Sequence, residues 1–268
     1  MDQPASSDAP HGRPRSRLRE LNIILGSAVL VALLLRMFVL DAYHIPTSSM
    51  EPALMAGDFL LVNKLTFGPR TPASVPLLDI QLPVARLPAF EHPRRGDVML
   101  LELPEGWSHQ GRTLRPGKFV KRVAGVPGDT LTSAGGELAV SDGAPPRTAE
   151  GNDASYSFIL PRAGEEVSLT GADRHLWEAV ARREGSIVGR LPSGETTIDG
   201  VEASTYRVRE SYYVVLGDNR GVSIDSRQWG PLPERLFFGK AIIVYWSAAT
   251  DASGRSSVRW ARIGSIIR

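Results

Sequence analysis

The sequence predicts a mostly β fold, in which an N-terminal transmembrane helix leads into a β-rich domain that carries an inserted cap with one short helix. Three observations support this prediction. An apolar run extends from Leu21 to Leu40, and short β-type runs bounded by Gly, Pro and Asp follow from Gly57 onward. Residues 131–205 differ from both, because they are rich in Gly and Ser and contain a single helical pattern.

The first forty residues divide into a polar tail and an apolar helix. Residues 1–20 are rich in Pro, Ser, Asp and Arg, a composition that predicts a disordered cytoplasmic tail. Residues 21–40 are long enough to cross a membrane, because about twenty residues at about 1.5 Å each cover the roughly 30 Å of a bilayer core. The charge within this run, Arg36, lies near its far end, where the guanidinium can reach the headgroups.

The flanking residues predict the orientation of this helix. The basic residues ahead of it are Arg13, Arg15, Arg17 and Arg19, and the acidic ones are Asp2, Asp8 and Glu20. A basic flank favours a cytoplasmic N-terminus, so we expect a single-pass protein of the inner (plasma) membrane whose chain after Leu40 is extracytoplasmic. A cleaved secretory signal is disfavoured, because such signals have a shorter apolar core and a small-residue cleavage site. A buried soluble helix is disfavoured because the rest of the chain is β-rich.

The predicted β core comprises residues 41–130 and 206–268. Its predicted strands are Phe59 to Val62, Val98 to Leu103, Phe119 to Val123, Tyr212 to Leu216, Ala241 to Trp246 and Ser257 to Trp260. Between residues 68 and 95 a stretch punctuated by prolines carries apolar side chains, which predicts a hairpin extension able to rest on a membrane.

Residues 131–205 are predicted to form the cap, inserted into the β core. Its helical pattern runs from Asp173 to Glu184, where the apolar residues fall on one helix face and Gly185 offers a C-terminal stop.

Composition excludes several classes of function. The net charge of +2 is small and partly belongs to the tail, so we expect no nucleic acid as a partner. The chain has no cysteine, which excludes disulfides and thiol catalysis. Its five histidines are scattered without the spacing of metal ligands, so we expect neither a metal nor another cofactor.

Three segments contain candidates for chemistry. The first is the turn Ile45-Pro46-Thr47-Ser48-Ser49-Met50-Glu51-Pro52, directly after the apolar run. The second is the apolar strand around Lys121, and the third is the polar loop from Gly217 to Arg227. A serine needs a base, which is usually His but is Lys in a known variant, and burial can lower a lysine pKa to about 7 to 8. Taken singly, each segment is equally consistent with an ordinary turn, a solvent-facing strand residue or a surface loop.

Together these segments resemble the type I signal peptidases, membrane-anchored Ser/Lys proteases that remove leader peptides from exported proteins. The resemblance covers residues 43–65, Arg95-Gly96-Asp97-Val98, the block from Lys121 to Asp129, and residues 217–230, in family order behind an N-terminal anchor. It implies a catalytic domain of coiled antiparallel sheets. Residues 1–20 and most of 131–205 lie outside it.

The resemblance also implies roles for individual residues. Ser49 would be the nucleophile and Lys121 the general base. Thr47, where the family more often has Ser, would stabilise the oxyanion together with the Ser49 N–H, and Ser223 would hydrogen-bond the Lys121 amine. Structural ion pairs would involve Arg122, Asp218, Asp225 and Arg227.

The implied substrates are signal peptides of exported preproteins, with small residues one and three positions before the cut, and membrane lipid is an expected partner. The positions that match the substrate pocket are Tyr43, Ile45, Pro46, Met50, Leu54, Phe119 and Val120. Gly221-Val222 departs from the usual Asp-Asn, and Ala53 replaces a common Thr. Self-cleaving repressor proteases share a Ser-Met turn and a lysine but begin with a DNA-binding domain. A membrane-tethered β domain that only binds exported proteins is the remaining alternative.

Overall fold

The computed structural model describes residues 15–68, 89–109, 112–113, 115–134, 137–142, 156–171, 173–250 and 254–268. The first element is helix α1, Arg15–Leu34, which continues into a π-helical turn at Leu35–Val39 and then into strand β1, Leu40–His44. The helix therefore includes residues 15–20 of the expected disordered tail, because Arg, Leu and Glu are good helix formers and join the apolar run without a break. By length and apolarity, none of the helices in the described part of the chain qualifies as a membrane span.

The core is an antiparallel sheet, which confirms the β-rich prediction. Its seven principal strands lie in the order β1, β2, β17, β3, β6, β15, β16, and β18 and β19 also pair with β17. The bounds of the strands after β1 are β2 Asp58–Asn63, β3 Val98–Leu103, β6 Gly117–Gly125, β15 Tyr212–Leu216, β16 Leu232–Pro233, β17 Phe237–Thr250, β18 Ser256–Val258 and β19 Ser265–Ile266. Short helices lie at Leu65–Phe67, Ser226–Trp229 (α3), Glu234–Leu236 and Trp260–Arg262.

Most of the predicted strands are confirmed. β3 and β15 have the predicted bounds, because their apolar runs are buried almost throughout. The predicted Ala241 to Trp246 is the centre of a much longer strand, β17, which contacts β2 and β3 on its two sides. The last predicted strand ends early at Val258, and Trp260 begins a short helix instead.

The inserted region forms small sheets and one helix. Its strands are β7 Asp129–Ala134, β8 Glu137–Asp142, β9 Tyr156–Ile159, β10 Glu166–Ser168, β11 Val188–Arg190, β12 Thr196–Ile198, β13 Val201–Glu202 and β14 Thr205–Arg207; a separate hairpin, β4 Ser108–His109 and β5 Arg112–Thr113, precedes β6. Helix α2, Arg174–Arg183, confirms the predicted helix to within one residue at each end. The domain boundaries stay predictions, and residues 69–88 of the proline-punctuated stretch lie outside the described residues.

The insertion is joined to the core by an apolar cluster and by the half-buried carboxylate of Glu184. Trp177 and Val180 of α2 belong to the same cluster as Tyr212 and Val214 of β15. The Glu184 carboxylate accepts hydrogen bonds from the Tyr206 and Tyr212 hydroxyls, at 2.7 and 2.9 Å. The insertion therefore packs against the strand that leads into the polar loop at residues 217–227.

Candidate active site

Ser49 lies in a compact loop between β1 and β2. The loop is closed at its base by backbone hydrogen bonds from Ile45 N–H to Asp58 O, at 2.8 Å, and from Gly57 N–H to Ile45 O, at 2.9 Å. Met50 and Leu54 are each 1% exposed and fix the loop to the core, because apolar side chains of this size gain about 1.5–3 kcal/mol on full burial. Ser49 precedes this buried anchor and is itself half-buried.

Asp58 holds the far end of the same loop. Its buried carboxylate accepts hydrogen bonds from Arg262, from the Ser247 hydroxyl at 2.6 Å and from the Met55 N–H at 2.8 Å. Arg262 also donates to Ala53 O at 2.9 Å. Burial alone would raise the pKa of Asp58, but these donors hold it below its ordinary value. The loop is therefore tied to the C-terminal segment by charge-assisted hydrogen bonds.

Lys121 reaches the serine from the middle of β6. Its side chain is 3% exposed, and its Nζ lies 2.8 Å from Ser49 Oγ. Burial lowers the pKa of Lys121 from 10.5 to about 8, although the charges of Asp225 and Asp218 oppose part of that shift. This places a weakly basic amine in direct contact with a hydroxyl.

Two further hydrogen-bond donors lie near the Ser49 hydroxyl. Thr47 Oγ1 lies 3.4 Å from Ser49 Oγ. Within the described residues the Ser49 N–H has no hydrogen-bond acceptor, whereas the Ser49 carbonyl accepts from the Asn219 N–H at 3.1 Å. The hydroxyl of Thr47 and the backbone N–H of Ser49 are thus both near Ser49 Oγ.

The polar loop after β15 is held by two ion pairs. Arg122 donates two hydrogen bonds to Asp218, at 2.8 and 2.7 Å. Arg227 Nε donates to Asp225 at 2.9 Å, and the Gly217 N–H donates to Asp225 at 3.0 Å. Burial would raise the pKa of Asp225, but these donors lower it. The four residues expected to form ion pairs are therefore brought together beside Lys121.

The structure does not form the expected hydrogen bond from Ser223 to Lys121. Ser223 Oγ is buried, and the Ser223 hydroxyl contributes to the lowered pKa of Asp225. The hydroxyl packs instead against Gly217, where any Cβ would collide with it. Lys121 directs its amine at Ser49 rather than at Ser223.

A cleft of about 130 Å³ opens beside the two side chains. Its walls are formed by Tyr43, Ile45, Pro46, Thr47, Ser49, Met50, Lys118, Phe119, Val120 and Lys121. Leu54, predicted as a pocket residue, lies in the core with Met50 and Val120 and not in the wall. Lys118 was not predicted, although its position two residues before Val120 places both on the same side of the strand.

Strand edges flank this cleft. In the described residues β15 pairs with β6 from Arg122 onward, so Lys118 to Lys121 pair with β3 alone. On the other side β1 pairs with β2 alone among the described strands. The Tyr43 hydroxyl donates to Lys118 O across the cleft, at 2.9 Å. The described residues contain no group of His, Asp or Glu side chains arranged to hold a metal ion.

Comparison with known proteins gives consistent matches. Residues 18–246 match the family described as signal peptidase, peptidase S26. Signal peptidase I of Pseudomonas aeruginosa is 30% identical over 249 residues, which cover 88% of this chain and 75% of that protein. Signal peptidase I of Pseudomonas fluorescens is 30% identical over 81% of this chain and 68% of its own length. Signal peptidase I of Aquifex aeolicus is 26% identical over 87% of this chain and 84% of its own length.

Proposed function

Because the chain belongs to the signal peptidase, peptidase S26 family, we propose that it is a membrane-anchored serine endopeptidase that removes signal peptides from exported proteins. The proposal uses Ser49 as nucleophile and Lys121 as general base, with cleavage after small residues through an acyl-enzyme. The observation that carries it is the 2.8 Å contact between Ser49 Oγ and Lys121 Nζ.

The depressed lysine pKa supports the role of Lys121 as a base. With a pKa of about 8, roughly a tenth of the amine is neutral at pH 7. An exposed lysine with a pKa of ~10.4 is neutral in only about one molecule in 2,500 at that pH. Burial therefore increases the reactive fraction by about two orders of magnitude, without any histidine in the site.

The reaction follows from this contact. The neutral Lys121 amine takes the Ser49 hydroxyl proton while Oγ forms a bond to the scissile carbonyl carbon. The resulting ammonium gives that proton to the leaving amine as the peptide C–N bond breaks, which leaves an ester on Ser49. Lys121 then takes a proton from water as the water oxygen attacks the ester carbon. The Lys121 ammonium returns that proton to Ser49 Oγ as the ester C–O bond breaks and the acid product leaves.

The oxyanion of each tetrahedral intermediate would lie beside the Ser49 N–H and the Thr47 hydroxyl. Support comes from the Ser49 N–H, which has no acceptor among the residues that the structure describes, and from the position of Thr47 near Oγ. One such donor is often worth about 3 kcal/mol of transition-state stabilisation. Ser223 fills space beside Gly217 in this proposal, and the ion pairs of Arg122 and Arg227 hold the surrounding loop.

The cleft supports an extended substrate with small side chains. The edge of β6 at residues 119–121, which pairs only with β3 among the described strands, offers backbone groups to an added strand, and β1 borders the other side. The volume of about 130 Å³ is well below the roughly 300–1,000 Å³ of drug-sized ligand sites. Apolar walls from Ile45, Met50 and Val120 favour alanine-sized residues and exclude charged ones.

We also propose that residues 21–40 anchor the protein in the plasma membrane, with the N-terminus in the cytoplasm and the peptidase domain outside. Support comes from the surface of α1, where large apolar side chains such as Ile24, Leu25 and Leu30 are 63%, 63% and 58% exposed. Such a continuous apolar surface is costly in water and stable in lipid. The signal peptide and the peptidase would then meet at the same membrane surface.

The test is hydrolysis of a fluorogenic leader peptide by the full chain in detergent micelles. Ser49→Ala should reduce kcat/KM by about 10⁴-fold or more, because no other hydroxyl occupies its position. Ser48→Ala is the matched control, since it removes a hydroxyl from the same turn and should cleave normally. Equal activity of the wild type and Ser49→Ala would refute the proposal, and an inactive wild type that still binds the peptide would favour a binding domain.

A further inference from the structure

Three cationic residues lie where the N-terminal helix joins the β core. We call Arg36, Lys64 and Lys118 the junction cluster. Arg36 lies in the last helical turn, Lys64 directly follows β2, and Lys118 lies in β6 at the wall of the cleft. The cluster therefore connects the end of the apolar helix to the substrate cleft.

The cluster is built around one aromatic ring. Lys118 Nζ lies 4.4 Å and Lys64 Nζ 5.7 Å from the centre of the Phe238 ring, so the two ammonium groups share one cation–π partner. Lys64 Nζ also donates to Arg36 O at 2.6 Å, which places Lys64 against the C-terminal end of the helix. The ring of Phe238 and the backbone carbonyl of Arg36 therefore hold the three residues near one another without a bound anion between them.

Positive charge is in excess at this junction. Lys64 has Asp41 as an ion-pair partner at 4.0 Å, whereas Arg36 and Lys118 form no ion pair within the described residues. Glu102 stands opposite Lys118 in the β3–β6 register without forming an ion pair with it. Burial lowers the pKa of Lys64, Asp41 opposes this, and the charges of Lys118 and Arg36 lower it further. An added anion would relieve that repulsion.

We propose that the junction cluster binds the phosphate of an anionic lipid headgroup, through Arg36 and Lys118 with Lys64 behind them. This inference rests on the membrane anchor proposed above. If residues 21–40 anchor the protein as proposed, Arg36 lies near the outer end of the anchor, where its guanidinium can reach the phosphates and each cation attracts anionic lipid. Because Lys118 also lines the cleft, the bound headgroup would lie beside the leader peptide.

A free phosphate ion or an acidic residue of the leader peptide would offer similar chemistry. The structure favours lipid because Arg36 belongs to the helix whose exposed apolar surface ends at this point. An acidic leader residue in the cleft would contact Lys118 alone, because Arg36 and Lys64 do not line the cleft.

The experiment measures lipid binding by the full chain in uncharged detergent, using native mass spectrometry. The probes are phosphatidylglycerol, phosphatidylcholine, inorganic phosphate and a leader peptide with an acidic residue. Arg36→Met and Lys118→Met should each weaken phosphatidylglycerol binding about fivefold, the loss expected for one cation near a headgroup. Arg207→Met, an exposed arginine of β14 that pairs with Glu166 at 3.1 Å, is the matched control and should bind as the wild type does.

Each outcome decides the question. Equal phosphatidylglycerol affinity in the wild type, Arg36→Met and Lys118→Met would overturn the proposal. The proposal would also be overturned if inorganic phosphate bound as tightly as the lipid. It would likewise be overturned if Lys118→Met weakened the binding of the acidic peptide and of no other probe. Ser49→Ala should retain wild-type lipid binding, so a failure of the lipid site and a failure of the peptidase proposal are separate results. Unchanged thermal unfolding of the variants would show that they remain folded.

Discussion

The pH dependence of leader cleavage gives a direct test of the lysine base. If the neutral amine of Lys121 is required, kcat/KM should follow its deprotonated fraction, which rises with pH through a pKa of about 8. That fraction is about 1% at pH 6, about 9% at pH 7 and about 50% at pH 8. We therefore expect activity to rise about ninefold from pH 6 to 7, about sixfold from pH 7 to 8, and no more than twofold above that.

The assay is kcat/KM from pH 5.5 to 10.5 with a leader peptide that has no ionisable group near the cut. Asp218→Asn should move the midpoint below pH 8, because the Asp218 charge raises the pKa of Lys121 and its removal also leaves Arg122 without its partner. Ser48→Ala should leave the midpoint unchanged. A profile that keeps rising tenfold per pH unit beyond pH 9, or that is flat from pH 6 to 9, would refute the role of Lys121.

Three other predictions follow from the site. Lys121→Arg should abolish cleavage although it keeps the positive charge, because a guanidinium stays protonated and accepts no proton; near-normal turnover would exclude Lys121 as the base. In a leader panel with Ala, Val, Leu or Phe before the cut, wild type should prefer Ala, and Val120→Ala or Ile45→Ala should shift kcat/KM toward slightly larger residues; equal cleavage of the Phe and Ala peptides by wild type would contradict the pocket assignment. Arg262→Met should lower the free energy of unfolding by about 1.5–3 kcal/mol, because it removes the bidentate partner of the buried Asp58 carboxylate while Arg259 stays at 3.4 Å; denaturant unfolding without any change would contradict this role of Arg262.

The parts predicted best from sequence are those set by local pattern. Continuous apolar runs become buried strands, as in β3 and β15, and a helical pattern followed by glycine becomes α2. The motif resemblance identifies Ser49 and Lys121. Their separation depends on how the loop after β1 lies against β6, which local periodicity does not determine.

The site predictions that differ from the structure concern side chains whose packing depends on distant segments of the chain. Leu54 and Met50 are both apolar residues of one loop, yet only Met50 faces the cleft. Ser223 packs against Gly217 because glycine leaves room there, and no pattern in the sequence indicates the direction of its hydroxyl. Lys118 was missed because the cation–π contact with Phe238 joins strands far apart in the chain.

The place of the insertion in the chain has a consequence for folding and for tolerance to change in length. β6 and β15 are sheet neighbours, yet the whole insertion connects them, so pairing Val123 with Val215 must close a long loop. The entropy of such closure grows only with the logarithm of loop length, and each doubling costs about 0.6 kcal/mol. Lengthening the surface loops of the insertion should therefore slow the pairing step slightly and shortening them should speed it, and length changes of less than twofold should alter the closure cost by less than about 0.6 kcal/mol. The register between the two strands is set by their own backbone hydrogen bonds, so such changes should leave the separation of Ser49 and Lys121 unaltered.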